Sequence, residues 1–331
     1  MSAPRPLSLA LLGALALGLG LLAVFVGATD RPPADVVAAL LGGADVDTRL
    51  VVVDIRLPRA VAALVVGGAL GAAGAVMQVI TQNPLAGPGI MGLNGGGALA
   101  VLAVMVTVPG ASLGALALAS LAGSTLAALL VTAIARSLKV GMTPLGLTLV
   151  GAAVAALFGA LSGAIVIASS MQNDMLYWTV GGLGTLDWGA VALLAAGVLP
   201  AAAVTLWLTP ALTGLLLGEE TAIGLGHRVE RVRLWGIAAV VVAAGLSTAV
   251  AGPVAFVGLM APHGARAIFG HDQRWVVPAA ALIGAAAVQA ADVIGRVATA
   301  PSEIPMGVFL GLCGAPLLVW LVAGKRVAAL T

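Results

Sequence analysis

Two arginines, Arg56 and Arg59, are the side chains of this sequence best suited to recognise a carboxylate. They stand three residues apart, so on a helix they share one face, and a guanidinium binds a carboxylate through two parallel hydrogen bonds. One interpretation is therefore a docking point for carboxylates of an external partner. The alternatives are that both side chains extend to lipid headgroups or that they pair with the nearby Asp54.

A second ionisable pair, Asp292 and Arg296, lies four residues apart near the end of an apolar run. It fits either a proton relay or a local salt bridge, which is the simpler interpretation. The phosphate-binding pattern Gly-x4-Gly-Lys-Ser/Thr does not occur, because neither Lys139 nor Lys325 is followed by Ser or Thr. The sequence therefore predicts no Walker-type ATP site in this chain.

The sequence also lacks the residues that a disulfide, a metal site or a nucleic-acid interface would need. The single cysteine, Cys313, excludes an intrachain disulfide and a cysteine-cluster metal site. With only three histidines, direct coordination of a bare metal ion during passage is disfavoured, which fits a solute that arrives already chelated. The net charge of +2 gives no nucleic-acid signal. We therefore expect no cofactor in this chain and no nucleic-acid partner.

The elements that must position these residues are membrane helices. The chain is 61% hydrophobic and 8% charged, whereas about 25% of a soluble domain is charged. Backbone groups in lipid must be satisfied internally, and each helical span needs about 20 apolar residues. We predict an all-α polytopic protein with one transmembrane domain over 1–331. Its ten spans are predicted at about 7–28, 60–79, 94–108, 112–135, 144–168, 189–208, 234–250, 253–269, 276–296 and 305–323.

The charges orient these spans. With ten spans and the N-terminus inside, the inner segments carry 10 Lys and Arg residues and the outer segments carry 5, as the positive-inside rule requires. Both termini are therefore predicted to be cytoplasmic, which places Arg56, Arg59 and Arg296 outside. The apolar block Leu234–Gly270 counts as two spans, because Pro253 lacks an amide donor and disfavours helix at the residue before it.

Two polar segments interrupt the spans. The inner segment, about 209–233, is predicted to hold a short helix that acidic residues open and basic residues follow, an order that complements the helix dipole: Glu219, Glu220, then Arg228 and Arg231. Its apolar positions are either a knob for a groove in a soluble partner or one face of a capped surface helix: Ala222, Ile223 and Leu225.

The second polar segment, Gln82–Gly89, is predicted to be a tight non-helical turn. Its two prolines and two glycines prevent a helix from continuing. It is either a simple connection between spans or part of a cavity wall, since irregular backbone near a membrane often lines a cavity.

Together these features resemble the FecCD family of ABC-importer permeases, which handle ferric siderophores, haem and cobalamin. The resemblance covers about 50–325 and rests on stretches that occur in the family's order: RLPRAVAALVVGGALGAAGAVMQ, QNPLAGPGIMGLNGGGAL, YWTVGGLG, LGEETAIGLG, AGPVAFVGLMAPHGAR and ADVIGRVATAPSEIPMGVFLGLCGAP. The chain departs from the pattern at Gln82 and Gly87, where many relatives have Arg and Asp, and at Trp178–Leu183, where W-x-x-G-S-L is commoner.

The resemblance implies the transmembrane permease subunit of an importer in the bacterial inner membrane. It implies a second permease subunit, with a homodimer favoured over a heterodimer, a cytoplasmic ATPase dimer that binds ATP and Mg, and a periplasmic or lipid-anchored binding protein. Docking of the binding protein is expected at Arg56, Arg59 and Arg296. Docking of the ATPase is expected in a coupling loop through Glu219, Glu220, Ala222, Leu225 and Gly226. The family turn is carried by Asn83, Pro84, Leu85, Pro88 and Gly89.

The cargo expected from the resemblance is an iron chelate that crosses by alternating access. Ferric siderophore is the first choice because that class is commonest in the family, and haem and cobalamin are the alternatives. Outside the family, a secondary transporter of an apolar or chelated solute and a membrane scaffold without transport both fit the composition. The scaffold leaves the outer arginines and the inner loop without a role.

Overall fold

The computed structural model describes residues 4–89, 91–138, 143–169, 178–184 and 186–323. Within these ranges the regular elements are helices, as predicted, and a π-helical segment, Leu50–Arg56, leads into α4. The α-helices are α1 (Arg5–Phe25), α2 (Pro33–Leu40), α3 (Val46–Arg49), α4 (Leu57–Ile80), α5 (Leu93–Thr107), α6 (Leu113–Ser137), α7 (Pro144–Ala168), α8 (Trp188–Leu216), α9 (Glu219–Gly224), α10 (Val229–Ala251), α11 (Val257–Phe269), α12 (Gln273–Val297) and α13 (Met306–Ala323).

Seven of these helical segments are long and apolar enough to cross a membrane: Arg5–Phe25, Val46–Ile80, Leu113–Ser137, Gly146–Ala168, Trp188–Leu216, Val229–Ala251 and Gln273–Val297. Two further apolar helices are shorter, Leu93–Thr107 and Met306–Trp320. The structure therefore bears out an all-helical, multi-span chain.

Several predicted boundaries differ from the structure. The span predicted at 189–208 continues to Leu216 and the one predicted at 234–250 begins at Val229, so the inner segment is shorter than the predicted 209–233. The helix predicted to start at residue 60 is continuous from Val46, because Arg56 and Arg59 are buried by other helices instead of marking an exposed end. The predicted break after Ala251 is confirmed, but α11 begins only at Val257. Gly252 and Phe256, with φ angles of 67° and 64°, flank a non-helical stretch that lies between the two helices.

Helix α4 is the centre of the bundle and packs against α12, α11, α10, α8 and α1. Glycines on α4 allow the backbones of α12 and α11 to approach closely. A Cβ atom on Gly71 would lie 2.1 Å from the carbonyl oxygen of Ala280, and one on Gly74 would lie 1.9 Å from that of Gly258. Small residues at such positions are the usual basis of helix packing in lipid.

Glycines four residues apart in the sequence, such as Gly92 and Gly96 or Gly159 and Gly163, do not all serve this purpose. Gly96 of α5 faces Gly123 of α6, where a Cβ on Gly96 would lie 2.5 Å from the carbonyl oxygen of Gly123. By contrast, Gly159 and Gly163 of α7 have no neighbour within 4 Å of an added Cβ among the described residues. Close backbone packing therefore occurs around α4 and between α5 and α6, but not at Gly159 and Gly163 of α7.

This contrast predicts opposite outcomes for two alanine substitutions. Gly74→Ala places a methyl group inside the backbone of α11, so it should destabilise the protein by about 1–3 kcal/mol or more. Gly159→Ala meets open space and should be neutral or slightly stabilising, since alanine favours a helix by about 1 kcal/mol over glycine. Thermal unfolding of the two purified variants in one detergent checks this, and equal losses would contradict the packing around α4.

Candidate functional site

A buried ion cluster joins α4 to α12 at one end of the bundle. Arg59 donates from Nε and Nη2 to Oδ1 of Asp292, at 3.0 and 2.8 Å, and its Nη1 lies 2.9 Å from a carboxylate oxygen of Glu303. Nη2 of Arg296 lies 3.1 Å from Oδ2 of Asp292. The relative exposure of Asp292 is 2%, that of Arg296 is 3% and that of Arg59 is 8%. Asp292 therefore balances two guanidinium groups that are almost fully withdrawn from solvent.

The same cluster fastens the C-terminal end of α1. Arg56 donates to the carbonyl oxygens of Val24 and Phe25, at 3.1 and 3.0 Å, and to that of Thr29. The last carbonyls of a helix have no partner within it, and a cation there also interacts favourably with the helix dipole. Gly27 leaves room for this contact, because a Cβ atom at that position would lie 2.8 Å from Cζ of Arg56.

Arg296 contacts the same end of α1 from the other side. Its Nη1 donates to the carbonyl oxygens of Ala23 and Val26, at 3.0 and 3.2 Å. Arg56 and Arg296 together therefore bind five backbone carbonyls around the last turn of α1 and beyond it. The three arginines predicted for docking lie at one site, but the groups they bind in this structure belong to the chain itself.

The ion-pair partners of Arg59 and Arg296 could be predicted only in part from the sequence. The predicted salt bridge of Asp292 with Arg296 is present, and Arg59 pairs with Asp292 and Glu303 rather than with Asp54. Asp292 lies 233 positions away from Arg59, and Glu303 follows α12. No local spacing identifies either acid as a partner of Arg59.

The predicted coupling segment lies between α8 and α10. It begins after Gly218, whose φ of 112° favours glycine, and α9 carries Glu219 and Glu220 in its first turn, as predicted. Oε2 of Glu219 lies 2.8 Å from Nη2 of Arg233 on α10. Gly226, with φ 85°, ends the segment. The coupling segment is thus tied to both adjoining helices.

The apolar positions of the coupling segment divide into two groups. Ala222 is buried, with an exposure of 1%, and lies near Gly214 of α8, whereas Ile223 and Leu225 are 59% and 62% exposed. The predicted three-residue knob therefore needs correction, because Ala222 is buried against α8. Ile223 and Leu225 remain largely exposed, although Cδ1 of Leu225 would also lie 3.5 Å from a Cβ added on Gly214. In a helix of six residues, one face must pack for the helix to stay in place.

The family turn connects α4 to α5 and contacts two other helices. Asn83 accepts a hydrogen bond from the backbone of Leu85 at 2.9 Å and donates to Thr148 of α7 at 2.6 Å. Pro88 packs against Gly258 of α11, where an added Cβ would lie 2.8 Å from the ring. Of the two interpretations left open for this turn, the second holds: it forms a wall of a cavity.

That cavity has a volume of about 310 Å³. The turn contributes Leu85, Pro88 and Gly89, and Asn94 and Phe256 lie across from it. Asn94 donates to the carbonyl oxygen of Val254 at 2.9 Å, which ties α5 to the non-helical stretch before α11. The unwound segments around Pro84 and Pro253 therefore meet at one place in the bundle.

An all-helical bundle with a buried ion cluster at one end and a short surface helix at the other has the architecture of a multi-pass membrane permease. A sequence model of the FecCD transport family matches residues 15–324. The chain belongs to this family, whose members are permease subunits of ABC importers rather than enzymes. It is accordingly a multi-pass protein of the bacterial inner membrane.

Individual relatives agree with this membership. The ferric enterobactin transport system permease protein FepD of Escherichia coli is 38% identical over 305 residues, which is 92% of this chain and 91% of that protein. The iron(3+)-hydroxamate import system permease protein FhuB of Bacillus subtilis is 38% identical over 82% of this chain and 71% of its own length. Other relatives are named as hemin and vitamin B12 import permeases.

A solved structure described as an inward-facing conformation of a metal-chelate type ABC transporter shares the fold. It superposes with a TM-score of 0.81 at 27% identity and covers 96% of this chain and 99% of its own. The arrangement of helices described above is therefore that of a known transporter fold over nearly its whole length.

The ion cluster predicts a large cost for removing its acid. Asp292→Asn leaves Arg59 and Arg296 buried without their shared counter-charge, which should destabilise the protein by about 3–5 kcal/mol. The matched control is Asp47→Asn, which removes an exposed acid paired with Arg31 at the same end and should cost at most about 1 kcal/mol. Denaturant unfolding of both purified variants measures the difference, and similar small costs would contradict a structural role for the cluster.

Proposed function

We propose that this chain is the transmembrane permease subunit of an ABC importer that moves an iron chelate across the inner membrane by alternating access. The observation that carries the proposal is its similarity, over nearly the full length of both proteins, to a permease of ferric enterobactin transport. Ferric siderophore is the cargo that this favours. Haem and cobalamin are the alternatives within the family, because relatives of similar identity bear those names.

The proposed topology has ten spans and cytoplasmic termini. Seven helical segments are long and apolar enough to cross a membrane, and α5, α11 and α13 supply the other three crossings. The 13 residues of α11 extend only about 20 Å at 1.5 Å per residue, less than the roughly 30 Å of a hydrocarbon core. Its crossing is completed by the non-helical stretch before it, whose backbone is enclosed by α5 and the family turn. Such backbone is tolerated where protein covers it.

The proposed energy source is a cytoplasmic ATPase dimer, which binds ATP and Mg, acting on two permease subunits in a homodimer. Closure of the ATPase dimer would move α9, and α9 is attached to α8 through Ala222 and to α10 through the ion pair of Glu219 with Arg233. These attachments support a role for the coupling segment in passing motion into two membrane helices. The exposed Ile223 and Leu225 are the side chains available for contact with the ATPase.

The proposed dock for the periplasmic or lipid-anchored binding protein is the outer arginine site. In the resting molecule Arg56 and Arg296 hold backbone carbonyls, so they set the shape of the docking end. Arg59 is the one that an external carboxylate can address, since its partner Glu303 is partly exposed. An acid of the binding protein would compete with Glu303 for the same guanidinium group.

The function is tested by transport in vesicles that contain the permease together with its ATPase. With the cognate binding protein outside and ATP inside, we expect uptake of a radiolabelled ferric siderophore and none without ATP. Uptake driven by an ion gradient without ATP would instead support a secondary transporter. Uptake of haem or cobalamin, but not of siderophore, would contradict the cargo and leave the ATP-driven mechanism in place.

In the same vesicles, Leu225→Glu should lower ATP-dependent uptake by about tenfold or more, because a charge replaces a desolvated contact at the proposed ATPase interface. Leu41→Glu is the matched control, since Leu41 is 82% exposed at the opposite end of the molecule. Co-purification of the ATPase should fall for the first variant only. Normal ATPase binding and uptake by Leu225→Glu would contradict the coupling assignment.

The docking proposal predicts a gain of affinity from one substitution. Glu303→Gln removes the acid that competes for Arg59, so the binding protein should associate at least about tenfold more tightly, in line with the roughly 1.5–3 kcal/mol of a hydrogen bond to a charged group. Surface binding measurements with permease immobilised in nanodiscs would show this, with Asp47→Asn as the control at the same end. Unchanged or weaker binding by Glu303→Gln contradicts docking through Arg59.

A further inference from the structure

A groove with a basic mouth lies between the end of α8 and the start of α10, beside the coupling segment. Its volume is about 520 Å³. Trp207, Pro210 and Trp235 form apolar walls, and His227, Arg228 and Arg231 lie at the mouth. We call this the basic groove. Gly226 of the coupling segment also lines the basic groove, but no partner has been assigned to the arginines or tryptophans of the groove.

The two arginines of the basic groove are not neutralised by the chain. In the described ranges neither Arg228 nor Arg231 makes an ion pair or a side-chain hydrogen bond, and no described residue that lines the groove is acidic. The nearby acid Glu230 lines a different cavity, together with Arg233. The mouth of the basic groove is therefore a place of uncompensated positive charge.

The aromatic walls of the basic groove lie on the outside of the helical bundle. Trp207 is 71% exposed and Trp235 is 50% exposed, and both lie within helices that are long and apolar enough to cross a membrane. Trp235 lies four residues after Arg231 on α10, so the two share a helix face and are about 6 Å apart along the axis. Tryptophan is enriched at the level of lipid headgroups, so the charged mouth lies near the surface and the aromatic walls lie deeper.

We propose that the basic groove binds one anionic phospholipid of the inner leaflet. Its phosphate lies between Arg228 and Arg231, and its acyl chain lies between Trp207 and Trp235. Basic pockets between helices on the cytoplasmic side suit anionic headgroups. An acidic segment of the ATPase would satisfy the arginines but would leave the tryptophans exposed, so the charge and the apolar walls together favour lipid. The proposal rests on the inner orientation given above, but not on transport.

The test is native mass spectrometry of the full-length chain, titrated in detergent with phosphatidylglycerol or with phosphatidylcholine of the same acyl chains. The first phosphatidylglycerol should bind about tenfold or more tightly than phosphatidylcholine, as expected for two arginines near an anionic headgroup. The double variant R228Q/R231Q should lose this preference, whereas R228K/R231K, which keeps the charge, should retain most of it. W207A/W235A should weaken binding of both lipids alike.

Arg274→Gln is the matched control, because Arg274 is an exposed arginine that pairs with Asp272 at the same end of the bundle, and it should leave the lipid preference unchanged. The proposal is overturned if the wild-type chain shows no preference, or if R228Q/R231Q keeps it. Loss of ATPase co-purification by R228Q/R231Q with an intact lipid preference would assign the arginines to the ATPase interface, which also overturns it. Because the titration uses neither ATPase nor binding protein, failure of the import proposal would leave its result unaffected.

Discussion

The structure depends on one buried carboxylate. Asp292 lies between Arg59 and Arg296 with almost no access to solvent. In such surroundings an unbalanced charge is far more costly than at a surface, so the cluster is stable only when all its members are present. Arg296 and Arg56 extend the cluster to the backbone of α1. Three helices distant in sequence are thereby joined at one point.

Further contacts along α1, α4 and α12 continue the attachment that begins at the ion cluster. Close to the ion cluster, Gln289 of α12 donates to the carbonyl oxygen of Ala16 on α1 at 2.9 Å, which continues the attachment of these helices along their length. Further on, Gly67 and Gly71 bring α4 within backbone contact of α12. At the other end, α9 is attached through a buried alanine and a surface ion pair. An ion cluster that joins three helices at one end, and a short surface helix at the other, fit the proposal that motion enters the bundle through α9.

Much of the fold could be predicted from the sequence, because apolar length and proline position act locally. The break between α10 and α11 follows from Gly252-Pro253, and the pairing of Asp292 with Arg296 follows from their spacing on one helix. The partner of Arg59 could not be predicted, since Asp292 is distant in sequence. The binding of α1 carbonyls by Arg56 could not be predicted either, because a backbone acceptor has no sequence signature. Periodicity likewise cannot show that Ala222, rather than Ile223, faces the protein in so short a helix.

The most direct test of the claim that this cluster holds the bundle together is a double-mutant cycle between Arg59 and Asp292. The unfolding free energy of Arg59→Gln, Asp292→Asn and the double variant would be measured in mixed micelles under reversible conditions. If the two side chains stabilise the fold as one unit, the double variant loses less than the sum of the single losses, by about 1–3 kcal/mol. Additive losses, within about 0.5 kcal/mol, would contradict the claim.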